Sequence, residues 1–171
     1  MTHLAVLTAN YMASVCRCRC AVLEWNRHGD FERMERICTG KVSQSPYFTV
    51  LKADYYKAAG TRELLSCAEG GYEQIVIDFG SGFRTEKTEF LRCGRKYVVT
   101  ALSEWQIGGL LEFVEEMKTE AGYRSWEYGV AFGSEEARME MKKRLDLPLR
   151  RIPLSVDPFA LNHEMMAYFE T

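Results

Sequence analysis

The run Tyr72-Glu73-Gln74-Ile75-Val76-Ile77-Asp78, set between Gly71 and the turn Gly80-Ser81-Gly82, restricts the fold more than any other stretch of this chain. Its β-branched middle shows no polar alternation. That is the pattern of a strand covered on both faces, and such strands belong to mainly parallel sheets with helices on either side. The strand then ends on an acid. At the carboxyl end of a central strand, Asp78 faces the crevice in which open α/β sheets bind ligands. Gly80 and Gly82 let the backbone turn there and approach a ligand closely.

The rest of the chain alternates in the same sense. Leu4, Leu7, Tyr11 and Val15 recur at helical spacing, so a helix is expected from Thr2 to about Cys16. Ala21-Val22-Leu23 reads as a buried strand running into Glu24-Trp25-Asn26, and Phe31 to Ile37 as a short helix. Tyr47 to Leu51 is a second strand, with an irregular segment through Asp54, Tyr55 and Tyr56 after it. Thr61 is expected to cap a helix that Gly70-Gly71 ends near Glu69. After the Asp78 strand come a short helix from Glu86 to Arg92 and a fully buried strand, Lys96 to Ala101. Ser103 and Gln106 form a capping-box pair for a long helix to Glu120, with Leu110, Leu111, Val114 and Met117 on its apolar face. Glu127 to Phe132 is a strand, Ser134 caps a helix to Leu145, and Leu149 to Ile152 is the last strand. Asp157-Pro158 places a cap before proline, which predicts a final helix to about Phe169.

At 171 residues, 47% of them hydrophobic, the chain suits one domain with a real core, residues 1–171. A formal charge of −2 gives no global attraction to nucleic acid or anionic lipid. The basic groups Arg17/Arg19, Lys142-Lys143-Arg144 and Arg150-Arg151 read as solvated faces. No secretory signal pattern and no apolar run of the ~20 residues needed to span a bilayer is present, so a cytoplasmic protein with no transmembrane segment is expected. In that compartment the six cysteines are thiols. Cys16-Arg17-Cys18-Arg19-Cys20 stands out. In an extended segment alternate residues share a face, so three thiols could converge on a soft metal, although zinc sites favour CxxC spacing.

Several motif readings compete. Asp78 suits an acid holding magnesium through water beside a phosphate, or a carboxylate that merely caps the following turn. Asp78-Phe79-Gly80 spells the magnesium tripeptide of protein kinases, but no His-Arg-Asp loop precedes it. Residues 80–88 end in Lys87-Thr88 like a phosphate-binding loop, yet Ser81 and Glu86 occupy positions that need glycine. His3, His28 and His163 lie near no nucleophile motif. Trp25, Trp105 and Trp126 lack the basic interleaving of a nucleic-acid platform and read as core or half-buried packing, so no nucleic-acid partner is predicted.

Taken together, these segments resemble the MinD/ParA family of P-loop NTPases, the deviant phosphate-loop group that includes the nitrogenase iron protein. Tyr72 to Asp78 looks like the family's Y-D-x-I-I-I-D strand. Phe90 to Ala101 is similar to its helix-turn-strand, and Leu149 to Asp157 to its late strand with I-P-x-x-x-D. Ala21 to Asn26 matches a degraded V-L-L-I-D-x-D. The resemblance implies a bacterial three-layer α/β protein with a mainly parallel sheet and helices on both faces, and an ATP-dependent dimeric switch as ancestor.

The departures matter as much. The family opens with a strand and a glycine-rich loop that cradles phosphate at a helix N-terminus, with lysines supplying charge. Here the resemblance places Thr2 at the end of such a loop. It would also put an acid at Asn26, and an adenine-contacting amide near Ala131-Phe132. The implied central strand, between the Asp78 and Tyr97–Ala101 strands, is missing, and a start site downstream of the true one is the expectation that follows. Unless those strands close up or another segment fills the gap, buried backbone groups go unpaired at roughly 1–3 kcal/mol each.

The expected function is a degenerate or truncated switch-type regulatory domain with little or no ATP hydrolysis of its own. The alternative is a nucleotide-independent protein-interaction module on the same fold. No catalytic residue is assigned. Thr2, Glu24, Asn26, Asp78 and Gly80 are expected to line a vestigial nucleotide pocket, with Asp78 the water-mediated magnesium contact. No cofactor is expected for this chain alone, and ATP with magnesium only where a longer product restores the loop. A protein partner or a homodimer fits either reading.

Overall fold

In the computed structural model, which describes residues 2–82 and 84–170, the first sheet is built around Cys20–Glu24 (β1), buried along its whole length. Met1, Phe83 and Thr171 lie outside the described residues, and with Phe83 goes the middle of the 80–88 segment. β1 pairs in parallel with Ala53–Tyr56 (β3) on one side and Gln74–Asp78 (β4) on the other. Tyr47–Val50 (β2) adds an antiparallel edge to β3, giving the order β2-β3-β1-β4.

Alternation along β1 sends Cys20 and Val22 to one face and Ala21 and Leu23 to the other, and all four are shielded from solvent. On the first face Val6, Ala9 and Ala13 from the opening helix join Phe31, Phe48 and Tyr55 in one apolar cluster. That helix, Thr2–Asn10 (α1), continues as a π-helical turn through Tyr11–Val15. Phe31 comes from Asp30–Thr39 (α2), which Gly40 ends in the left-handed conformation. Thr61–Glu69 (α3) also packs against β1.

These elements form one compact unit, residues 1–87 with 155–171. The returning C-terminal segment is tied to α1 by Asn10 Nδ2, which donates to the Phe159 carbonyl at 2.8 Å, and to the π-helical turn by Tyr11 against Phe169 with ring centres 5.0 Å apart.

Residues 88–154 form a second unit. Its sheet is all parallel, Tyr97–Ala101 (β5), Glu127–Phe132 (β6) and Leu149–Arg151 (β7), in sequential order. Lys87–Arg92 (α4), Ile107–Met117 (α5) and Glu135–Leu145 (α6) complete it. Phe90, Phe113 and Trp126 meet edge to face at its centre, Phe90 and Trp126 at 5.3 Å. Ser134 caps α6 as expected, its Oγ accepting the Ala137 N–H at 3.1 Å. The architecture is therefore α/β with mainly parallel sheets.

Several local expectations are corrected. The segment through Asp54 is strand β3, because Thr49 Oγ1 and Tyr72 Oη donate to the Asp54 carboxylate at 2.5 and 2.7 Å and stabilise an acid that strands otherwise disfavour. β4 is an edge strand of its sheet, with Ile75, Val76 and Ile77 half-buried, and β5 is half-buried throughout. The α3 cap is Gly60, whose N–H is taken by Glu63 Oε2 at 3.0 Å. α5 starts after a turn, since Ser103 Oγ bonds to the Gln106 side chain at 2.7 Å instead of capping a helix at once. Asp157 caps only a turn, accepting the Phe159 N–H at 2.9 Å, and the last helix, His163–Phe169 (α7), is capped by Asn162. Trp25 and Trp126 are buried, whereas Trp105 is 80% exposed.

The hairpin between β2 and β3 turns through Leu51 and Lys52, both left-handed with φ of 47° and 69°. That is the backbone of a two-residue primed turn without the Asn-Gly pair that favours it.

Candidate functional site

Parallel pairing sets Glu24 opposite Asp78 at the carboxyl ends of β1 and β4. Both carboxylates are buried, Glu24 to 1% exposure and Asp78 to 4%. A buried carboxylate needs hydrogen-bond donors, and here helix N-termini and a turn supply them. Glu24 Oε1 accepts the N–H groups of Asp30 and Phe31, the first residues of α2, at 2.6 and 3.3 Å. Its charge therefore sits at the positive end of that helix.

Asp78 is held from two sides. Thr2, the first residue of α1, donates its hydroxyl to Asp78 Oδ2 at 2.6 Å, and Gly80 donates its N–H to Asp78 Oδ1 at 3.0 Å. The Asp78 carbonyl accepts from Asn26 Nδ2 at 2.9 Å and from the Trp25 N–H at 3.0 Å, which carries the link between β1 and β4 past the last ladder residue. Asn26 Oδ1 in turn receives the His28 N–H at 3.0 Å and closes the turn before α2.

Gly80 has a conformational reason for its identity. Its φ is +58°, and a Cβ there would lie 2.9 Å from His28 Cε1 and 3.1 Å from Asn26 Cβ. Thr2, Glu24, Asn26, Asp78 and Gly80 are thus brought to one strand-end cluster.

Two members were not picked out from the sequence. Asp30 Oδ2 lies 3.2 Å from Thr2 Oγ1, and His28 Nδ1 lies 4.0 Å from that same Asp30 oxygen. Thr2 has a single hydroxyl proton, which the shorter contact assigns to Asp78, so Asp30 draws its neutralisation from Arg33 at 2.9 Å. The usable signal was Gly29-Asp30 ahead of an apolar residue, a helix-start pattern that carries an acid into the first turn.

The charge balance of the cluster is acidic. Lys57 follows Tyr56, which pairs with Leu23, so it emerges at the level of Glu24. Its ammonium instead donates to Glu35 Oε2 at 2.7 Å and to the Ser43 carbonyl at 2.8 Å, with both charged side chains less than a tenth exposed. The Lys57 hydrogen bond, followed by that of the Ser43 hydroxyl, holds the Glu35 carboxyl below the usual range.

Thr2 and Asp78 offer oxygen donors of the kind magnesium takes while keeping several of its waters. Among the described residues no three His, Cys, Asp or Glu side chains converge closely enough to hold a metal directly. The cysteine run does not make a ligand set either. Arg17 sits at φ 58°, which breaks the strand-like alternation, and leaves Cys16 exposed and Cys20 in the core.

No helix among the described residues is long and apolar enough to cross a membrane. No family model matches the chain, and no curated protein does. Among solved structures it is similar to the MinD cell division protein of Aquifex aeolicus, at 15% sequence identity over 84% of this chain and 68% of that one, with a TM-score of 0.41.

Proposed function

We propose that the chain is a degenerate MinD/ParA-like domain, a regulatory switch-type module with little or no ATP hydrolysis of its own. The observation that carries this reading is the Thr2–Asp78 contact of 2.6 Å. It brings a helix-opening hydroxyl and a strand-ending acid together at the carboxyl ends of parallel strands, where such sheets take ligands. In a phosphate-binding version of this site, that pair would address magnesium, which would supply charge neutralisation for a polyphosphate. The remaining groups work against turnover. Glu24 and Asp78 place carboxylates where a triphosphate would need cations, Arg33 is taken up by Asp30, and Lys57 is committed to Glu35.

A second reading, a nucleotide-independent interaction module, draws support from the hydrogen bonds that Asp78 already accepts within the chain. Its two carboxylate oxygens already accept from Thr2 and Gly80. Two measurements separate the readings. Phosphate release from Mg·ATP is expected at the buffer rate, and turnover that disappears in Asp78→Ala would overturn the proposal. A thermal shift with Mg·ATP decides between switch and module. Ligand at ten to a hundred times Kd adds about 1.4–2.7 kcal/mol, and a gain of that size that vanishes in Asp78→Ala supports the switch. No gain assigns the chain to the module.

A further inference from the structure

We propose that Cys16 and Cys18 form a redox-responsive thiol pair that closes to an intramolecular disulfide on reaction with a low-molecular-weight disulfide such as oxidised glutathione. The pair lies at the amino end of β1, away from the strand ends that carry Glu24 and Asp78, and it stands independently of the functional reading above.

The structure selects this pair from three neighbouring cysteines. Cys20 is 1% exposed inside β1, where burial, with smaller contributions from Cys18 and Asp54, pushes its thiol up to about 12. It stays protonated and out of reach of a solvent-borne oxidant. Cys16 is exposed and Cys18 half-buried. Between them Arg17 adopts a left-handed backbone, φ 58°, at the point where the π-helical turn ends. The backbone on either side is anchored. Cys16 N–H donates to the Tyr11 carbonyl at 3.1 Å and Cys18 N–H to the Met12 carbonyl at 2.9 Å.

This reversal turns Cys18 back on its neighbour, and its Sγ lies 3.7 Å from the Cys16 carbonyl oxygen. Residues two apart across a reversed residue fall inside the Cα separation that disulfides tolerate, roughly 4.4–6.8 Å. A ring this small strains the bond, and strained exposed disulfides are the readily reducible, regulatory kind.

The chemistry has a direction. Cys16 is the more exposed of the two thiols and lies beside the Tyr11 hydroxyl; burial, then Glu73 and then Cys16 itself raise the Cys18 thiol. The Cys16 thiolate attacks oxidised glutathione, forming a Cys16–glutathione bond and expelling one glutathione thiolate. Cys18, on losing its proton to solvent, then attacks Cys16 Sγ, forms the Cys16–Cys18 bond and expels the second glutathione. Two protein thiols are oxidised and one glutathione disulfide is reduced to two thiols.

The sequence makes the test simple, because Arg17 is a trypsin site between the two sulfurs. The full chain is equilibrated with oxidised glutathione, free thiols are alkylated, and the tryptic peptides are weighed before and after reduction. The expected result is that the segments ending at Arg17 and starting at Cys18 remain joined until reductant is added, with Cys20 alkylated once the chain is unfolded. In Cys18→Ser the reaction is expected to stop at a stable Cys16–glutathione adduct, and in Cys16→Ser neither product forms. A persistent Cys16 adduct in the unsubstituted chain, a bond from Cys16 to Cys38 or to a second copy, or linked peptides that survive in Cys16→Ser would each overturn the proposal.

Discussion

Replacing Tyr55 by phenylalanine removes one oxygen from the apolar cluster of the first unit. Tyr55 is fully buried, edge-on to Phe31 and stacked on Phe48, each with ring centres 5.5 Å apart. Its hydroxyl has no hydrogen-bond partner among the described residues. Leaving a buried hydroxyl unpaired costs about 1–3 kcal/mol, and phenylalanine keeps the ring and nearly all of its packing. Tyr55→Phe is therefore expected to stabilise the unit by about 1–3 kcal/mol. With a urea m-value of about 2 kcal/mol/M, that moves the midpoint up by roughly 1 M at unchanged slope.

The same oxygen adds an alkaline signature. Burial, with smaller contributions from Cys20 and Cys38, raises the Tyr55 hydroxyl above its ordinary range in the folded state. A raised folded-state value means its contribution is intact below the unfolded value of about 10 and is lost as pH climbs from there toward the folded one. The unsubstituted chain should lose about 1.4 kcal/mol per pH unit from this group over that interval, and Tyr55→Phe should not. Urea titrations at neutral and alkaline pH measure both effects. A variant no more stable at neutral pH would mean that the hydroxyl is paired, and one that keeps the full alkaline slope would mean that another group causes it; either result would refute the reasoning.

Other perturbations probe the strand-end cluster and the buried ion pair. Gly80→Ala forces a Cβ into a left-handed residue 2.9 Å from His28, so a loss of about 1–2 kcal/mol is expected in urea titration, partly recovered in the His28→Ala background. Thr2→Val removes the donor to the buried Asp78 carboxylate and should cost about 1.5–3 kcal/mol, read by thermal unfolding, whereas Thr2→Ser should retain most of it. Glu35 titrates below its usual range through Lys57, so its contribution is present above the unfolded value near 4.3 and disappears as pH falls below it. Lys57→Met should destabilise at neutral pH and flatten that acid limb in a stability-versus-pH profile, and adding Glu35→Leu should restore much of the loss.

The parts of the fold readable from the chain were those decided by local chemistry. Ala21-Val22-Leu23 announces a buried strand, and Ser134 a cap that closes on Ala137, because each depends on neighbours in sequence. Where partners come from afar, the reading fails. Asp54 looks wrong for a strand until Thr49 and Tyr72 are seen donating to it. Ile75-Val76-Ile77 has the composition of a central strand, but composition cannot reveal that β4 has β1 on only one side among the described residues.

The candidate site followed the same division. Thr2, Glu24, Asn26, Asp78 and Gly80, which the structure places together, are expected from the sequence because the Asp78 strand draws attention to its end and the resemblance supplies the others. Asp30 and His28 were missed, since a first-turn acid and a loop histidine are unremarkable until α1 and α2 start side by side.

The Leu51-Lys52 reversal bears on the order in which the chain assembles. A hairpin closed by Asn-Gly can form early and template its neighbours, but a leucine and a lysine at φ 47° and 69° resist that backbone until surrounding packing imposes it. Pairing of β3 with β1 before β2 joins is the order this backbone predicts. Grafting Asn-Gly there would let β2 and β3 pair early, and stopped-flow refolding should accelerate while the unfolding rate changes little.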